Sequence, residues 1–236
     1  MDQYTPYNRR DFLKASGALT IGFSLLGTGV VNAAPALRPP KSVDKEAIDT
    51  WLTITPDNKV TIFSGKVDLG TGSRTALAQL AADELDVAFE RIEMVMGDTA
   101  TTPDQWLTAG NLTIFQGGGE LRRAAASARK ALLERAAKKL GVPVAELSVQ
   151  DGLVSVKGDA SRSVRYGELL GNGVELKVDP KAELKKAADY KWIGKSIPRV
   201  DIPAKVTGEF EYIHDVRVPG MLHARVVRPE IGRAHV

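Results

Sequence analysis

The run Asp68-Leu69-Gly70-Thr71-Gly72-Ser73-Arg74-Thr75 places two glycines, one residue apart, directly ahead of a hydroxyl and an apolar-periodic segment. Glycine lets a backbone approach a ligand with no Cβ in the way, and a helix N-terminus offers unpaired N–H groups and the positive end of a dipole. Gly70 and Gly72 therefore permit close approach, and Ser73 with the first helical turn offers donors to an anion. A second set of neutral hydrogen-bonding residues, Thr108, Gly110, Asn111, Thr113 and Gln116, lies downstream in a stretch from Gly97 to Gly119 that has few periodic apolar positions. This second set could add neutral hydrogen bonds to a ligand held by the first. Each of these side chains would serve equally well as an ordinary helix cap, and Ser73 reads as a natural N-cap.

These residues need elements to hold them. Trp51–Ile54 and Lys59–Phe63 are rich in β-formers and flank Pro56-Asp57-Asn58, which predicts a hairpin. The period then changes: a helix opens at Ser73 with Leu77, Leu80 and Ala81 on one face, and Asp83, Glu84 and Asp86 end it. Ile92–Met96 reads as a strand. The stretch 97–119 is long for a loop inside a compact domain, and such loops are usually functional when ordered elements flank them. Leu121, Ala125, Ala128, Leu132 and Ala136 recur at helical spacing in a segment that stops at Gly141 and Pro143. Asp151-Gly152 predicts a hairpin turn between Leu147–Gln150 and Leu153–Lys157. A short helix near Tyr166–Leu170 and a strand around Val174–Val178 complete a first domain over 48–180. Residues 181–201 read as a charged, then irregular connector, with Lys185 and Lys186 on a solvated face. The second domain, 202–236, is incomplete, and its apolar–polar alternation over Lys205–Val227 predicts strands.

Composition narrows the chemistry. With 43% hydrophobic and 26% charged residues the chain is of ordinary globular type, with length for one large or two small domains. A net charge of +3, without a basic stripe, is too small for nucleic acid to be a partner. The absence of cysteine removes disulfides, thiolate ligands and any iron–sulfur cluster held by this chain. His214, His223 and His235 have no metal-ligand spacing, so no protein metal site is expected.

The N-terminus reads as an address. Arg9-Arg10 precedes Phe12-Leu13-Lys14, and a moderately apolar stretch from Ala15 to Val31 follows, interrupted by four glycines. This resembles a twin-arginine export signal over 1–33, cleaved between Ala33 and Ala34, with a proline-rich leader over 34–47. Twin-arginine substrates cross folded, a route often taken when a cofactor is inserted first. The expected location is the periplasm.

The segment from Asp68 to Gln79, followed by Ala82-Asp83-Glu84-Leu85, resembles the Gly-Gln-Gly loop and helix of molybdopterin-binding subunits in the xanthine dehydrogenase family. Gly97-Asp98-Thr99-Ala100-Thr101-Thr102-Pro103 is similar to that family's Gly-Asp-Thr-Asp loop, and Thr108–Gly119 resembles its Thr-Gly-Gly-Ser-x-Ser segment. Ile202-Pro203-Ala204-Lys205-Val206-Thr207-Gly208, with Asp215–Arg225, is similar to the segment that opens its hammerhead-like domain. The four pieces cover most of residues 50–228, in the order of the periplasmic branch typified by isoquinoline and nicotinate dehydrogenases. Thr71 stands where the family often has Gln, and Asn111 where it often has Ser.

The resemblance implies an α+β chain: a molybdopterin-binding-type α/β domain followed by the truncated start of an α/β hammerhead-like domain. It implies a molybdenum–molybdopterin cofactor, in the cytosine dinucleotide form, bound by Gly70, Thr71, Gly72, Ser73, Arg74 and Thr75 and by Thr108, Gly110, Asn111, Thr113 and Gln116. It further implies hydroxylation of an N-heterocycle or aldehyde, a small-molecule substrate, with oxygen from water, and electron transfer to a [2Fe-2S] partner subunit and a cytochrome c. The family's catalytic glutamate lies near the far C-terminus of a longer chain, in a Gly-x-Gly-Glu setting that no residue here is expected to match, so the catalytic residue is unassigned and this fragment alone is expected to be inactive. Glu230–Val236 reads like the translation of a sequencing-adapter oligonucleotide, and the natural protein is expected to continue beyond residue 229. The rival reading is an exported, non-enzymatic binding or assembly module that holds a partner with the polar stretch 97–119.

Overall fold

The computed structural model describes residues 44–170 and 176–228. Arg9, Arg10, Phe12, Leu13, Ala33 and Ala34, most of the expected leader, Val174 of the expected strand, and the tail from Glu230 lie outside the described residues. What is described falls into two compact units, one ending at Arg199 and the other beginning at Val200.

The first unit mixes helices and two three-stranded sheets. β1 (Leu52–Ile54) pairs antiparallel with β2 (Val60–Ser64), which in turn pairs parallel with β3 (Ile92–Met96). A parallel pair needs a crossover, and α1 (Ser73–Leu85) supplies it. α2 (Gly119–Leu140) lies against α1, and the alanines that face inward let the two helices approach closely. Leu52, Ile54, Val60 and Ile62 of the sheet join Leu77, Ala81 and Leu85 of α1 and Leu121, Ala125 and Leu132 of α2 in one core. Gly141, left-handed at φ 67°, ends α2 as its position after the last periodic residue predicts.

The second sheet is an antiparallel meander of β4 (Leu147–Gln150), β5 (Leu153–Val156) and β6 (Asp159–Arg165). Asp151 and Gly152 both take positive φ, the conformation that a tight two-residue hairpin turn requires. No sequence pattern predicts β6. It is built of Asp, Ser and Arg, and buries little besides Val164, so only its pairing to β5 makes it a strand. Tyr166 follows it, fully buried, and donates its hydroxyl to the Leu85 carbonyl (3.0 Å), joining this sheet to the end of α1.

Arg91 reaches across the same junction with Nε and Nη2 on the two Asp151 carboxylate oxygens (2.7 and 2.8 Å). The guanidinium, helped by the Ala88 N–H, holds the Asp151 carboxyl below the usual carboxylate range. A depressed folded-state value contributes stability above the unfolded value, and that contribution is lost as pH falls through the folded one. The pair is partly exposed, so its contribution is at most about 1 kcal/mol. The expected result is a gap in melting temperature between wild type and Asp151→Asn that is steady near neutrality and closes as the pH drops below about 3.9. A gap independent of pH would exclude the ion pair as its source.

Residues 181–199, expected as a connector, belong to the first unit. Asp83, 1% exposed, accepts the backbone N–H groups of Lys191, Trp192 and Ile193, and Gln79 donates to the carbonyls of Trp192 and Lys195. Glu84, fully buried, takes Nε and Nη2 of Arg122 and the N–H of Lys185. Lys185 itself pairs with Asp86 and is largely buried, which corrects the expectation that it lies on a solvated face. The segment has no periodicity of its own, and the carboxylates that read as the end of a helix are what capture it.

In the second unit α3 (Ile202–Thr207) occupies the place where strands were expected to begin, with Pro203 in its first turn and Gly208 left-handed at its end. Among the described residues 208–228 no strand forms. Alternation over Lys205–Val227 supplies a strand's two faces but not its hydrogen-bonding partner, and Ile213, Leu222, Val226 and Val227 are all strongly exposed.

Candidate functional site

β2 ends at Ser64, and the chain runs through Gly65, Lys66 and Val67 into the glycine loop. Asp68 organises that loop: one carboxylate oxygen accepts the N–H groups of Gly70 (2.9 Å) and Gly72 (3.2 Å), the other that of Arg74 (3.0 Å). Gly70 and Gly72 stand at φ 96° and 79°, a region in which side-chain-bearing residues are strained. Gly72 is therefore the N-cap residue and Asp68 performs the capping, so Ser73 is not the N-cap that the sequence suggested. A carboxylate six residues upstream has taken part of the helix terminus expected to serve an anion.

Ser73 is released by this arrangement. It is the first residue of α1, 7% exposed, and its Oγ has no hydrogen-bond partner. Buried hydroxyls are normally satisfied, so an unpartnered one on a residue that lines a cleft is a candidate for contact with a ligand atom.

The second loop leaves β3 at Gly97 and is turned by Asp98, whose carbonyl accepts the N–H groups of Thr101 and Thr102. Thr108 Oγ1 accepts the Val67 N–H (3.1 Å), which joins the two loops directly. The polar stretch is not a loop throughout: Thr113–Gly118 forms a single π-helical turn that runs straight into α2. Such turns are local excesses in a helix and are frequent at functional sites.

Between the loops lies a cleft of about 270 Å³. It brings together Thr71, Gly72 and Ser73 of the first with Thr108, Gly110, Asn111 and Thr113 of the second; Val67, Leu69, Ala76 and Ile114 add apolar wall. Four expected residues stand elsewhere. Gly70 shapes the loop and its carbonyl accepts Arg199 Nη1 (2.9 Å). Arg74 turns away and donates to the Met94 carbonyl (2.7 Å), Thr75 is buried in α1, and Gln116 sits half-buried on the π-helical turn outside the cleft wall. Gly117-Gly118-Gly119-Glu120 has the spelling of the family's glutamate motif, but the Glu120 carboxylate accepts Gln105 Nε2 (2.7 Å) at the start of α2 and does not line the cleft.

A buried polar cluster behind the cleft was not anticipated. Gln105, 1% exposed, accepts Ser64 Oγ and the Gly65 N–H with its oxygen, and donates its amide to Glu120. Lys66 Nζ donates to the carbonyls of Gln105 and Leu107. Lysine and glutamine in polar stretches read as solvated, and no spacing in the sequence marks these two as interior.

A glycine loop opening a helix, a second loop of neutral hydroxyl and amide groups, and a cleft between them could hold a ligand with an anionic part and hydrogen-bonding edges. The chain belongs to the xanthine dehydrogenase family of molybdopterin-binding subunits: the molybdopterin cofactor-binding domain family matches residues 8–207. A nicotinate dehydrogenase chain of Pseudomonas putida is 40% identical over 215 residues, which is 87% of this chain and 18% of that protein. The beta chain of isoquinoline 1-oxidoreductase from Brevundimonas diminuta is 30% identical, covering 93% of this chain and 33% of the relative. The crystal structure of quinoline 2-oxidoreductase from Pseudomonas putida 86 aligns with 50% of this chain and 15% of that chain, at 29% identity and a TM-score of 0.45. The chain thus spans a third or less of the length of these two sequence relatives.

Proposed function

We propose that this chain is the leading part of the molybdenum-cofactor subunit of an exported hydroxylase, and that the cleft holds part of a molybdopterin cytosine dinucleotide. The unpartnered Ser73 hydroxyl carries the assignment to this site. It sits at the start of a helix, in a cleft whose other polar groups are neutral donors and acceptors, and so fits an oxygen-rich ligand with an anionic segment. Ser73, Thr108, Asn111 and Thr113 would hold the cofactor. Bound molybdenum supplies the redox chemistry: an oxygen from water replaces a hydrogen on an electron-poor carbon of an N-heterocycle or an aldehyde, and two electrons and two protons leave. This chain's share is to bind and orient. The names of the relatives, nicotinate dehydrogenase and isoquinoline 1-oxidoreductase among them, support an N-heterocyclic substrate.

The electrons pass to a [2Fe-2S] partner subunit and then to a cytochrome c, a division of labour in keeping with a chain that has no cysteine. Arg9-Arg10 and the stretch up to Ala33 direct the loaded protein to the periplasm by the twin-arginine route. The chain binds cofactor without turnover by itself, and residues from Val200 onward open a hammerhead-like domain.

Ser73→Ala tests the site. Expressed in bacteria that make molybdenum cofactor, wild type should carry molybdenum and pterin nucleotide in near-equal amounts. The variant should lose roughly tenfold or more of both, because hydrogen bonds to charged groups contribute about 1.5–3 kcal/mol. With cofactor stripped from both proteins, its melting temperature should match or exceed that of wild type, since an unsatisfied hydroxyl has been removed and bound cofactor no longer raises the wild-type value. Full cofactor content in Ser73→Ala would move the site elsewhere, and none in wild type would defeat the reading.

A further inference from the structure

Lys66 is 0% exposed, and its ammonium donates to the carbonyl oxygens of Gln105 (2.6 Å) and Leu107 (2.7 Å). Among the described residues no carboxylate pairs with it. A buried cation without an anion is a standing liability to the fold, and a methionine would fill the same space without it. The two carbonyls it grips flank Trp106. That residue stands at φ 62°, a left-handed conformation in which a bulky side chain is an outlier. Packing does not impose it, because the indole is 68% exposed. The Trp106 N–H donates to Asp104 Oδ1 (2.8 Å), which completes a tight turn.

The turn leads directly into the cleft. Thr108, one residue beyond the second gripped carbonyl, accepts the N–H of Val67, one residue beyond Lys66 itself. Both residues line the cleft. Gly117 clears the path of the lysine stem: a Cβ there would lie 3.2 Å from Lys66 Cγ. Strain that is held in place beside a site is commonly part of how the site is shaped.

We infer that Lys66 is a positioning residue that holds the 105–107 turn in its strained form and thereby sets the spacing of the two cleft loops for the cofactor. This rests on the function proposed above. The gripped turn, not the positive charge as such, is what the cleft depends on. A glycine at position 106 takes the left-handed conformation freely, so it should remove the need for the grip.

The test uses the full chain as wild type, Lys66→Met, Trp106→Gly and the double variant, with two readouts: hydrogen exchange at the Val67 amide and molybdenum and pterin nucleotide bound per chain. Lys66→Met should exchange Val67 about tenfold faster or more and lose about as much cofactor. Trp106→Gly should match wild type in both. The double variant should regain most of what Lys66→Met lost, a rescue that glycine cannot provide by packing. Wild-type exchange and loading in Lys66→Met would overturn the inference, and so would a double variant no better than Lys66→Met. If Lys66→Met alone does not accumulate folded, a folded double variant with the Val67 amide protected supports the clamp and an unfolded one overturns it. If wild type binds no cofactor, the proposed function fails, while Val67 exchange still decides the clamp.

Discussion

Gly65→Ala is expected to lose about 3 kcal/mol of stability or more and, with it, most cofactor retention. A Cβ at Gly65 would stand 2.0 Å from the Pro103 carbonyl oxygen and 3.1 Å from the Gln105 nitrogen, and both are backbone atoms that cannot rotate aside. The 103–105 segment must therefore move off the end of β2. That movement breaks the bonds from Ser64 Oγ and the Gly65 N–H to Gln105, and the hold of Lys66 on the Gln105 carbonyl. Urea denaturation measures the loss. Gly119→Ala is the control, because nothing lies within 4 Å of its Cβ and alanine favours a helix by up to about 1 kcal/mol over glycine. Equal midpoints for Gly65→Ala and wild type would show that the second loop is not seated on the end of β2.

The other large effect is expected at Asp83, which lies well away from the cleft. Asp83→Ala leaves the N–H groups of Lys191, Trp192 and Ile193 without their acceptor, at a loss of about 3 kcal/mol if part of that surface stays buried. Trp192 has further anchors, its indole N–H on the Val87 carbonyl (3.1 Å) and its ring 6.0 Å from that of Phe89, so the segment should loosen and not detach wholly. Arg199 rides on the same segment and donates to the Gly70 carbonyl. Loosening should therefore reach the glycine loop and lower cofactor retention by less than Ser73→Ala does. Hydrogen exchange at residues 191–193 reads the effect directly. Unchanged protection there in Asp83→Ala would show that Asp83 does not hold the segment.

Much of the first unit is legible in local pattern, and for stated reasons. The hairpin about Pro56-Asp57-Asn58, α1 and α2, β3 and the Asp151-Gly152 turn all carry signals that depend on near neighbours: period, a turn dipeptide, or a stop at Gly141. β6 carries none, since Asp159–Arg165 becomes a strand only through β5. Lys205–Val227 shows the converse, an alternation with no partner strand among the described residues.

At the site, chain order alone marks out the glycine loop and the Thr108–Thr113 segment as candidate ligand contacts, because glycine spacing and a run of neutral donors are local properties. Which of them meet is a matter of packing. Thr71, Gly72 and Ser73 face Thr108, Gly110, Asn111 and Thr113 across the cleft, while Arg74 is drawn to Met94 and Thr75 is buried. Asp68 takes over the cap that Ser73 was expected to provide and leaves the serine hydroxyl without a hydrogen-bond partner. Lys66, Gln105 and Asp83 look like solvated residues in the linear chain. Their burial depends on partners 39 to 110 positions away, and no local pattern records contacts at that range.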